Sequence, residues 1–417
     1  MNNGVVIVGA GHGGVQAAAS LREEGFDGPV VLLGEEAELP YHRPPLSKTF
    51  IKDAEAGPQP LRGEVFYAGN AIDFRPGTAV ERIDVAGRRL ELAGGGTLPF
   101  GRLVLATGSR PRVLPLPGAE LAGVVSLRSL ADARLIRELS AQAQDVVVIG
   151  GGFIGLEMAA TLGASGRRVT VVEAMGRLLG RAVAPVIAAH VRARLEAAGV
   201  RVLTGATITR LEGERGRVAA AVLASGERLP AGMVVVGVGA VPNVELAEAA
   251  GLAVANGIRV DAHMRTSAPQ ILAVGDAVNY RHWSTGADVR LESVQNATDQ
   301  ARLAARTVLG HDDAYAAVPW FWSDIGDMKL QMVGLALGGD RHVVAGDAAD
   351  NRFSVYHYAA DRLIAIESVN RPADHMLGRK MLGAGFSPAP GVVTAGADAL
   401  KAAFAEFQQG NPGAAAG

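Results

Sequence analysis

Two glycine-rich segments carry the residue types that bind dinucleotides. The first reads G-x-G-x-x-G at Gly9, Gly11 and Gly14 and follows an apolar run, residues 5–8. In this motif the first glycine permits a tight turn, the second lets a pyrophosphate approach the backbone, and the third lets the next helix pack closely. The phosphate then lies at the helix N-terminus, where free N–H groups point toward it. The segment therefore predicts a nucleotide-binding strand, turn and helix.

An acidic residue follows this motif at the spacing that suits a ribose. The next apolar run, residues 30–33, ends just before Glu35. Glu35 lies at the offset of roughly 20 residues at which a carboxylate binds a ribose hydroxyl. The alternative, a glycine-rich turn in an ordinary α/β domain, leaves the joint presence of strand, helix and acid unexplained.

The pattern occurs a second time. Gly150, Gly152 and Gly155 follow the apolar run 146–149, and the next apolar run ends at Glu173. Two complete fingerprints predict two dinucleotides in one chain.

The second acid bears on which nicotinamide nucleotide is used. Glu173 pairs with a free ribose 2′-hydroxyl and repels a 2′-phosphate, which favours NADH over NADPH. Arg177 is close enough in sequence to reach a phosphate and keeps the alternative open. Gly239 ends a further apolar run, where the backbone would lie against the nicotinamide half of the cofactor.

Composition excludes several other classes of protein. The 417 residues contain no cysteine, which excludes thiolate catalysis, disulfides and cysteine-bound clusters within this chain. The formal net charge of −2 argues against a nucleic-acid partner. The first motif begins near the fifth residue and no apolar run reaches the roughly 20 residues of a membrane span, so we expect a cytoplasmic protein without membrane attachment.

The elements that position these residues alternate between strand and helix in the first 300 residues. A proline-rich stretch, residues 39–48, predicts a stiff loop that carries Arg43, Ser47 and Lys48 over the nucleotide or simply exposes them. Residues 72–100 predict an antiparallel meander, and residues 103–106 a buried strand. A later strand ends at Asp276, at the edge where doubly wound sheets bind ligands.

The last part of the sequence has a different pattern. A helix beginning near Glu292 would direct its positive end toward a flavin. From Pro319 onward, apolar runs near Val333 and at residues 343–345, 353–358 and 363–366 predict an antiparallel sheet, followed by helices and a mobile tail after Gln409. The tryptophans at the start of this region are either core residues or part of the flavin site.

With these residues identified, the sequence resembles the FAD-dependent, putidaredoxin reductase-like ferredoxin reductases of the pyridine nucleotide-disulfide oxidoreductase superfamily. The resemblance covers nearly the whole chain, and its most specific parts are Arg43–Lys48 and the tryptophan run Trp-Phe-Trp-Ser-Asp. It implies a glutathione-reductase-like α/β fold with two Rossmann-like domains and a C-terminal α+β interface domain. The implied domains are FAD-binding residues 1–112 and 243–318, an inserted NAD-binding domain at 113–242, and the interface domain at 319–417.

The resemblance also implies the site residues. Lys48, near flavin N5, and Glu157, its partner when NADH is absent, are the implied catalytic pair. Arg128 would touch FAD, Asp276 its ribityl chain and Val294 its ring. The full set predicted to contact FAD is Gly9, Gly11, Gly13, Gly14, Glu35, Arg43, Ser47, Lys48, Val80, Ala106, Thr107, Gly108, Arg128, Asp276, Val294 and Trp320. The set predicted to contact NAD is Gly150, Gly152, Phe153, Ile154, Gly155, Glu157, Glu173 and Gly239, and no metal is predicted.

The implied function is NADH:ferredoxin oxidoreductase, a flavoprotein that takes a hydride at FAD N5 and passes single electrons to a [2Fe–2S] ferredoxin of an oxygenase. A monomer or weak homodimer is expected. The alternatives are a rubredoxin reductase, a redox sensor like apoptosis-inducing factor, and a flavin monooxygenase, which Glu173 disfavours. Ile325 and Gly326 depart from the family pattern on the partner-facing side, and Gly13 replaces a common alanine. Basic residues that could form a docking patch for an acidic ferredoxin are Arg302, Arg306, Lys329 and Arg379. The alternative, favoured for each of them taken singly, is a charge on a solvated helix face.

Overall fold

The computed structural model describes residues 4–180 and 182–411. The helices are α1 (His12–Glu23), α2 (Thr49–Lys52), α3 (Glu64–Gly69), α4 (Leu130–Gln142), α5 (Phe153–Ala164), α6 (Pro185–Ala197), α7 (Glu245–Ala249), α8 (Val294–Val308), α9 (Pro372–Gly383), α10 (Pro390–Thr394) and α11 (Ala397–Gly410). Short 3₁₀ turns occupy Pro44–Ser47 and Gly275–Ala277.

Most strands belong to three five-stranded sheets. The strands are β1 (Val5–Val8), β2 (Val30–Leu33), β3 (Ile72–Arg75), β4 (Val80–Asp84), β5 (Arg89–Leu92), β6 (Thr97–Pro99), β7 (Arg102–Leu105), β8 (Ser109–Pro111), β9 (Val124–Val125), β10 (Asp145–Ile149), β11 (Arg168–Glu173), β12 (Arg201–Thr204), β13 (Ile208–Glu214), β14 (Arg217–Leu223), β15 (Arg228–Pro230), β16 (Met233–Val236), β17 (Ala240–Pro242), β18 (Ile258–Val260), β19 (Ile271–Ala273), β20 (Val278–Arg281), β21 (Asp288–Val289), β22 (Trp320–Ile325), β23 (Met328–Gly334), β24 (Arg341–Asp347), β25 (Arg352–Ala359) and β26 (Arg362–Val369).

The chain divides into two units, each assembled from separate stretches of sequence. The first comprises the described residues of Met1–His42, Pro58–Arg110 and Ala240–Ala317. The second comprises those of Arg43–Gly57, Pro111–Gly239 and Val318–Gly417. The domain bounds inferred from the sequence remain predictions.

The first unit is organised by a parallel sheet with the order β19-β7-β1-β2-β3. Four consecutive β-branched residues form β1, and all four are buried, as a central parallel strand requires. The late strand β19 pairs in parallel with β7, so this sheet is completed by chain that follows a long insertion. The strands β4, β5 and β6 form the predicted antiparallel meander.

The second unit contains two five-stranded sheets of different type. One is parallel, with the order β12-β11-β10-β16-β9, and the other is antiparallel, with the order β22-β23-β26-β25-β24. The antiparallel sheet packs its core against α9, α10 and α11 around Tyr356, Tyr358 and Phe404. Two parallel nucleotide-binding sheets and a C-terminal α+β part confirm the predicted fold class.

Three local expectations need correction. Residues 72–75 form β3, the edge of the parallel sheet. The sequence Ile-Asp-Phe-Arg alternates between apolar and polar residues, which also suits a meander strand, so the pattern did not distinguish the two. The proline-rich stretch is not wholly loop, since Pro44 and Pro45 occupy the first turn of a 3₁₀ helix, where a missing N–H costs nothing. The tryptophan run is itself a strand, β22.

The described chain ends in a helix, and its remaining residues show neither a membrane span nor a metal-binding group. The helix α11 extends through Gly410, and most of the predicted mobile tail lies outside the described residues. Within the described part of the chain, no helix has the length and apolar character to cross a membrane. Likewise, the described His, Asp and Glu side chains form no group of three that could hold a metal ion.

Candidate active site

The first fingerprint folds as the tight turn that its glycines predict. Gly9 has φ +107°, and a Cβ there would lie 2.2 Å from the Ala106 carbonyl oxygen. A Cβ on Gly14 would lie 1.8 Å from the Gly9 carbonyl oxygen, so a side chain would push α1 away from β1. At Gly11, by contrast, a Cβ would meet no atom of the described residues within 4 Å. Packing does not demand glycine there, whereas a pyrophosphate at the N-terminus of α1 does.

The second fingerprint repeats this geometry in the other unit. Gly150 has φ +106°, and a Cβ there would lie 2.4 Å from the Gly237 carbonyl oxygen. A Cβ on Gly155 would lie 2.3 Å from the Gly150 carbonyl oxygen. Gly152, at the N-terminus of α5, would place its Cβ 3.9 Å from the nearest atom of the described chain. Both fingerprints therefore fit a dinucleotide for the same physical reasons.

The first unit places further predicted FAD residues at the end of β7. The Thr107 hydroxyl donates to the Asn243 carbonyl oxygen at 2.7 Å, and the Asn243 side-chain amide donates to the Thr107 carbonyl oxygen at 2.8 Å. Gly108 follows with φ +67°. Ala106 presents its carbonyl to Gly9, so these residues lie beside the first fingerprint. Val80 begins β4, in the small antiparallel sheet of the same unit.

Asp276 lies in the 3₁₀ turn that follows β19. Its carboxylate accepts a hydrogen bond from the Ser109 hydroxyl at 3.1 Å. The preceding Gly275 amide donates to the Gln300 side-chain oxygen of α8 at 2.8 Å, which ties the turn to that helix. Val294 is the first residue of α8. The turn and α8 thus lie together in the first unit.

Gly13 lies on the side of α1 that faces this turn and α8. A Cβ there would lie 3.3 Å from the Val274 side chain and 3.5 Å from the Ala297 carbonyl oxygen. The contact is tight but close to ordinary van der Waals distance, so an alanine would require a shift of only a few tenths of an ångström. The departure from the family pattern at this position is thus small in its physical effect.

The two predicted ribose acids have different surroundings. Glu35, after β2, is exposed, and the neighbouring Glu36 accepts a hydrogen bond from the Tyr41 hydroxyl at 2.5 Å. Glu173, at the end of β11, accepts from the Gly151 amide at 2.7 Å and the Met175 amide at 2.6 Å. The second carboxylate is therefore fixed directly beside its glycine motif, while the role of Glu35 remains a prediction.

Arg177 does not offer a free cation beside Glu173. Its guanidinium donates to the Val183 carbonyl oxygen at 2.9 Å and to the Gly180 carbonyl oxygen at 2.5 Å. Reaching a 2′-phosphate would break both bonds, which weakens the sequence argument for NADPH.

The predicted catalytic pair forms an ion pair in the second unit, between a partly exposed lysine and a buried glutamate. The Lys48 ammonium lies 2.8 Å from Oε2 of Glu157, whose side chain is only 4% exposed. The Ser47 hydroxyl donates to the same oxygen at 2.5 Å. Thr161 on α5 donates to the Ser47 carbonyl oxygen at 2.9 Å and fixes the segment that carries both residues. One oxygen of this buried carboxylate thus has both a cation and a hydroxyl donor as partners.

Two residues predicted to contact FAD, Arg43 and Arg128, are joined by a hydrogen bond in the second unit. The Arg43 guanidinium donates to the Arg128 carbonyl oxygen at 2.7 Å. Arg128 lies just before α4, whose capping box of Ser129 and Asp132 fixes the start of the helix. These contacts place Arg43 and Arg128 together with the proline-rich segment in the second unit.

The tryptophan run forms an aromatic cluster on β22. The ring of Trp320 lies 5.6 Å from that of Trp322 and 5.7 Å from that of His375, and the Arg379 guanidinium lies 4.7 Å over Trp320. Burial, with Arg379 and Lys329 nearby, lowers the pKa of His375 to about 4, so this imidazole is neutral at pH 7. Trp320 is therefore partly buried against the core of the antiparallel sheet, with the Arg379 guanidinium over its ring.

The remaining predicted NAD residues lie around α5 and the end of the parallel sheet. Phe153 packs its ring 4.8 Å from that of Phe321, and Ile154 is 47% exposed at the start of α5. Gly239 has φ +99° and accepts a hydrogen bond from the Arg112 amide at 3.0 Å. All eight predicted NAD residues belong to the second unit.

Sequence reasoning missed two serines that contact the predicted site. Ser109 donates to Asp276, and Ser323 donates to Oε1 of Glu157 at 2.6 Å. Both contacts join residues more than 160 positions apart, and serine is too common to stand out. The one available signal was the place of Ser323 directly after the tryptophan run.

Comparisons with known proteins agree with this geometry. Residues 3–301 match the family described as pyridine nucleotide-disulphide oxidoreductase, and residues 320–404 match the reductase C-terminal family. A rubredoxin-NAD(+) reductase of Pseudomonas putida is 43% identical over 88% of this chain and 96% of its own. The ferredoxin reductase of the CYP199A2 system of Rhodopseudomonas palustris superposes with a TM-score of 0.94 at 45% identity, covering 96% of this chain and all of its own.

A covalent complex of putidaredoxin reductase with putidaredoxin is a further structural neighbour, with a TM-score of 0.93 at 39% identity over 97% of this chain and 99% of its own. The family resemblance inferred from the residues is confirmed, and with it an oxidoreductase that uses FAD and NAD(H). The chain belongs to the pyridine nucleotide-disulphide oxidoreductases, within their FAD-containing ferredoxin reductases.

Proposed function

We propose that the protein transfers electrons from NADH to a [2Fe–2S] ferredoxin that serves a monooxygenase or a ring-hydroxylating dioxygenase. The observation that carries this is the pair of dinucleotide fingerprints combined with the absence of cysteine. When bound, FAD accepts an electron pair and releases single electrons. A chain without a redox thiol has no disulfide to reduce, so the electrons leave to an external acceptor.

The residues of this chain have separate tasks in that function. Gly11 and Gly152 admit the pyrophosphates, and Glu173 selects the ribose of NADH. Lys48 acts as a partly buried positive charge, with the buried Glu157 as its counter-ion. Because neither group is a nucleophile toward substrate, their contribution is electrostatic.

The C-terminal sheet supplies the surface for the acceptor. Arg302 and Arg306 are paired with acidic residues of their own unit, which leaves them little charge to offer. Lys329 and Arg379 take part in no ion pair recorded among the described residues, and Arg379 covers Trp320. We infer that an acidic ferredoxin docks on this side of the second unit.

The experiment that tests the function is a steady-state screen of the purified yellow protein with NADH against several ferredoxins and a rubredoxin. Rapid reduction of a [2Fe–2S] ferredoxin supports the proposal. Preference for rubredoxin would support the second candidate, which the rubredoxin-NAD(+) reductase relative favours. Slow turnover combined with NADH-induced dimerisation would indicate a redox sensor. A monomer or weak homodimer and a cytoplasmic location remain part of the proposal.

Substituting Glu173 tests the nucleotide preference. Glu173→Gln keeps the shape of the side chain but removes the charge that would repel a 2′-phosphate. We expect the ratio of kcat/KM for NADH to that for NADPH to fall about tenfold. Glu214→Gln, an exposed position on β13 of the same unit, serves as the control and should leave the ratio unchanged. An unaltered ratio in Glu173→Gln would contradict the assignment.

Substituting the tryptophans tests the docking surface. The double variant Trp320→Leu, Trp322→Leu removes the aromatic cluster of β22 and should lower ferredoxin reduction about tenfold, as loss of aromatic anchors does at interfaces. Reduction of ferricyanide, which needs no docking surface, should fall much less, by no more than the loss of the predicted contact between Trp320 and FAD costs. Trp283→Leu removes a 48% exposed tryptophan of the other unit and should affect neither assay. Equal losses in both assays of the double variant would argue against the docking role.

A further inference from the structure

The Glu157 carboxylate is held on both of its oxygens. Oε2 receives the Lys48 ammonium at 2.8 Å and the Ser47 hydroxyl at 2.5 Å. Oε1 receives the Ser323 hydroxyl at 2.6 Å and the Asp324 amide at 3.3 Å. The amide contact is long, so the Ser323 hydroxyl is the main partner of Oε1. Oε2 is therefore bound by residues of the proline-rich segment, and Oε1 is bound by residues of β22.

The strand fixes the Ser323 hydroxyl in place. Ser323 is paired with Leu330 in the β22–β23 ladder, and its exposure is 0%. A hydroxyl buried this deeply cannot exchange its partner for bulk water, so its hydrogen bond to a charged oxygen is retained. The carboxylate is therefore held by a group whose own position is set by a sheet.

We propose that Ser323 is a positioning residue for the reaction. By holding Oε1, it orients the Glu157 carboxylate so that Oε2 faces the Lys48 ammonium, an inference that rests on the proposed function. Lys48 also donates to the Pro44 carbonyl oxygen at 3.2 Å, so its ammonium is held between a neutral and a charged acceptor. Without the Ser323 hydroxyl, Oε1 keeps only the long Asp324 amide contact, so the carboxylate can turn and the ammonium is less closely fixed. Ser323 thereby acts on the chemistry through Glu157 and Lys48 and not by contact with the substrate.

A purely structural role for Ser323 makes a different prediction. The same hydrogen bond ties β22 to α5, and its loss would lower stability whether or not Lys48 is present. Ser354 offers the comparison, because it is 0% exposed on β25 of the same sheet and donates to a buried carboxylate, Asp374, at 2.8 Å. Ser354→Ala therefore removes an equivalent buried hydrogen bond away from the predicted site.

The test is a double-mutant cycle on the purified holoprotein, with single-turnover reduction of its flavin by NADH as the readout. Ser323→Ala should slow reduction about tenfold, the effect of losing a hydrogen bond to a charged group. In a Lys48→Ala background the same substitution should slow reduction less than about twofold further, because the group it positions is gone. Ser323→Thr keeps the hydroxyl and should restore most of the rate. Ser354→Ala should lower the thermal midpoint as Ser323→Ala does but leave the rate unchanged.

Different outcomes would overturn the role of Ser323 and the proposed function. Equal slowing by Ser323→Ala in both backgrounds, no slowing in the wild-type background, or equal slowing by Ser354→Ala would overturn the positioning role. A wild-type holoprotein whose flavin NADH does not reduce would overturn the proposed function instead.

Discussion

Replacing Gly11 by valine is expected to give a folded protein that no longer retains FAD. A Cβ at this position meets no atom of the described chain within 4 Å, so the protein has open space where the side chain begins, and we expect the fold to accept it. The same side chain occupies the space through which a pyrophosphate would reach the backbone at the start of α1. We expect FAD affinity to fall about a hundredfold, which corresponds to about 3 kcal/mol of overpacking. Visible flavin absorbance, far-UV circular dichroism and reconstitution with added FAD measure the two effects separately.

Two other glycines supply the controls for this variant. Gly69→Val places a side chain at another position of the first unit where no described atom lies within 4 Å, and it should leave both fold and FAD content intact. Gly14→Val should instead abolish folding, because its Cβ would overlap the Gly9 carbonyl oxygen. A Gly11→Val protein with full flavin content would show that the first fingerprint does not bind FAD.

The fold was predictable where its signals are local. An apolar run followed by G-x-G-x-x-G specifies strand, turn and helix within about 20 residues, and this held for both parallel sheets. The signal failed at β3, because the parallel edge strand Ile72–Arg75 alternates between apolar and polar residue types as a meander strand does. It also failed at β22, since the aromatic residues there fit a core segment as well as a strand. Pairing partners far apart in sequence decide both cases.

The site was predictable only where residue type is itself diagnostic. Glu173 and Glu157 stood out because a carboxylate at that spacing, or in that family motif, has few other reasons to be present. Ser323 did not stand out, since its function comes from a contact with Glu157 formed only in the folded chain. Glu36 is a second example. The sequence did not show that this residue, next to Glu35, accepts a hydrogen bond from Tyr41, because that contact also forms only in the folded chain.

Replacing Lys48 by alanine should slow flavin reduction by NADH about a hundredfold, the scale of losing one preorganised charge at a reacting centre. The ammonium is held 2.8 Å from a carboxylate that is 4% exposed, so its charge acts in a site shielded from water. The variant leaves Glu157 buried without a cation, which destabilises the protein. Ser47 and Ser323 still donate to both carboxylate oxygens, so we expect the fold and the bound flavin to be retained.

Lys52→Ala provides the matched control for Lys48→Ala. Lys52 lies four residues further along the same segment, at the end of α2, and is exposed. Its removal changes the net charge by the same amount without touching Glu157, so the rate of reduction should stay within about twofold of wild type because solvent screens its charge. Stopped-flow absorbance at saturating NADH measures the reduction step alone. If Lys48→Ala and Lys52→Ala reduce their flavin equally fast, the Lys48 ammonium contributes nothing to the reaction, and the ion pair with Glu157 serves only to hold the proline-rich segment against α5.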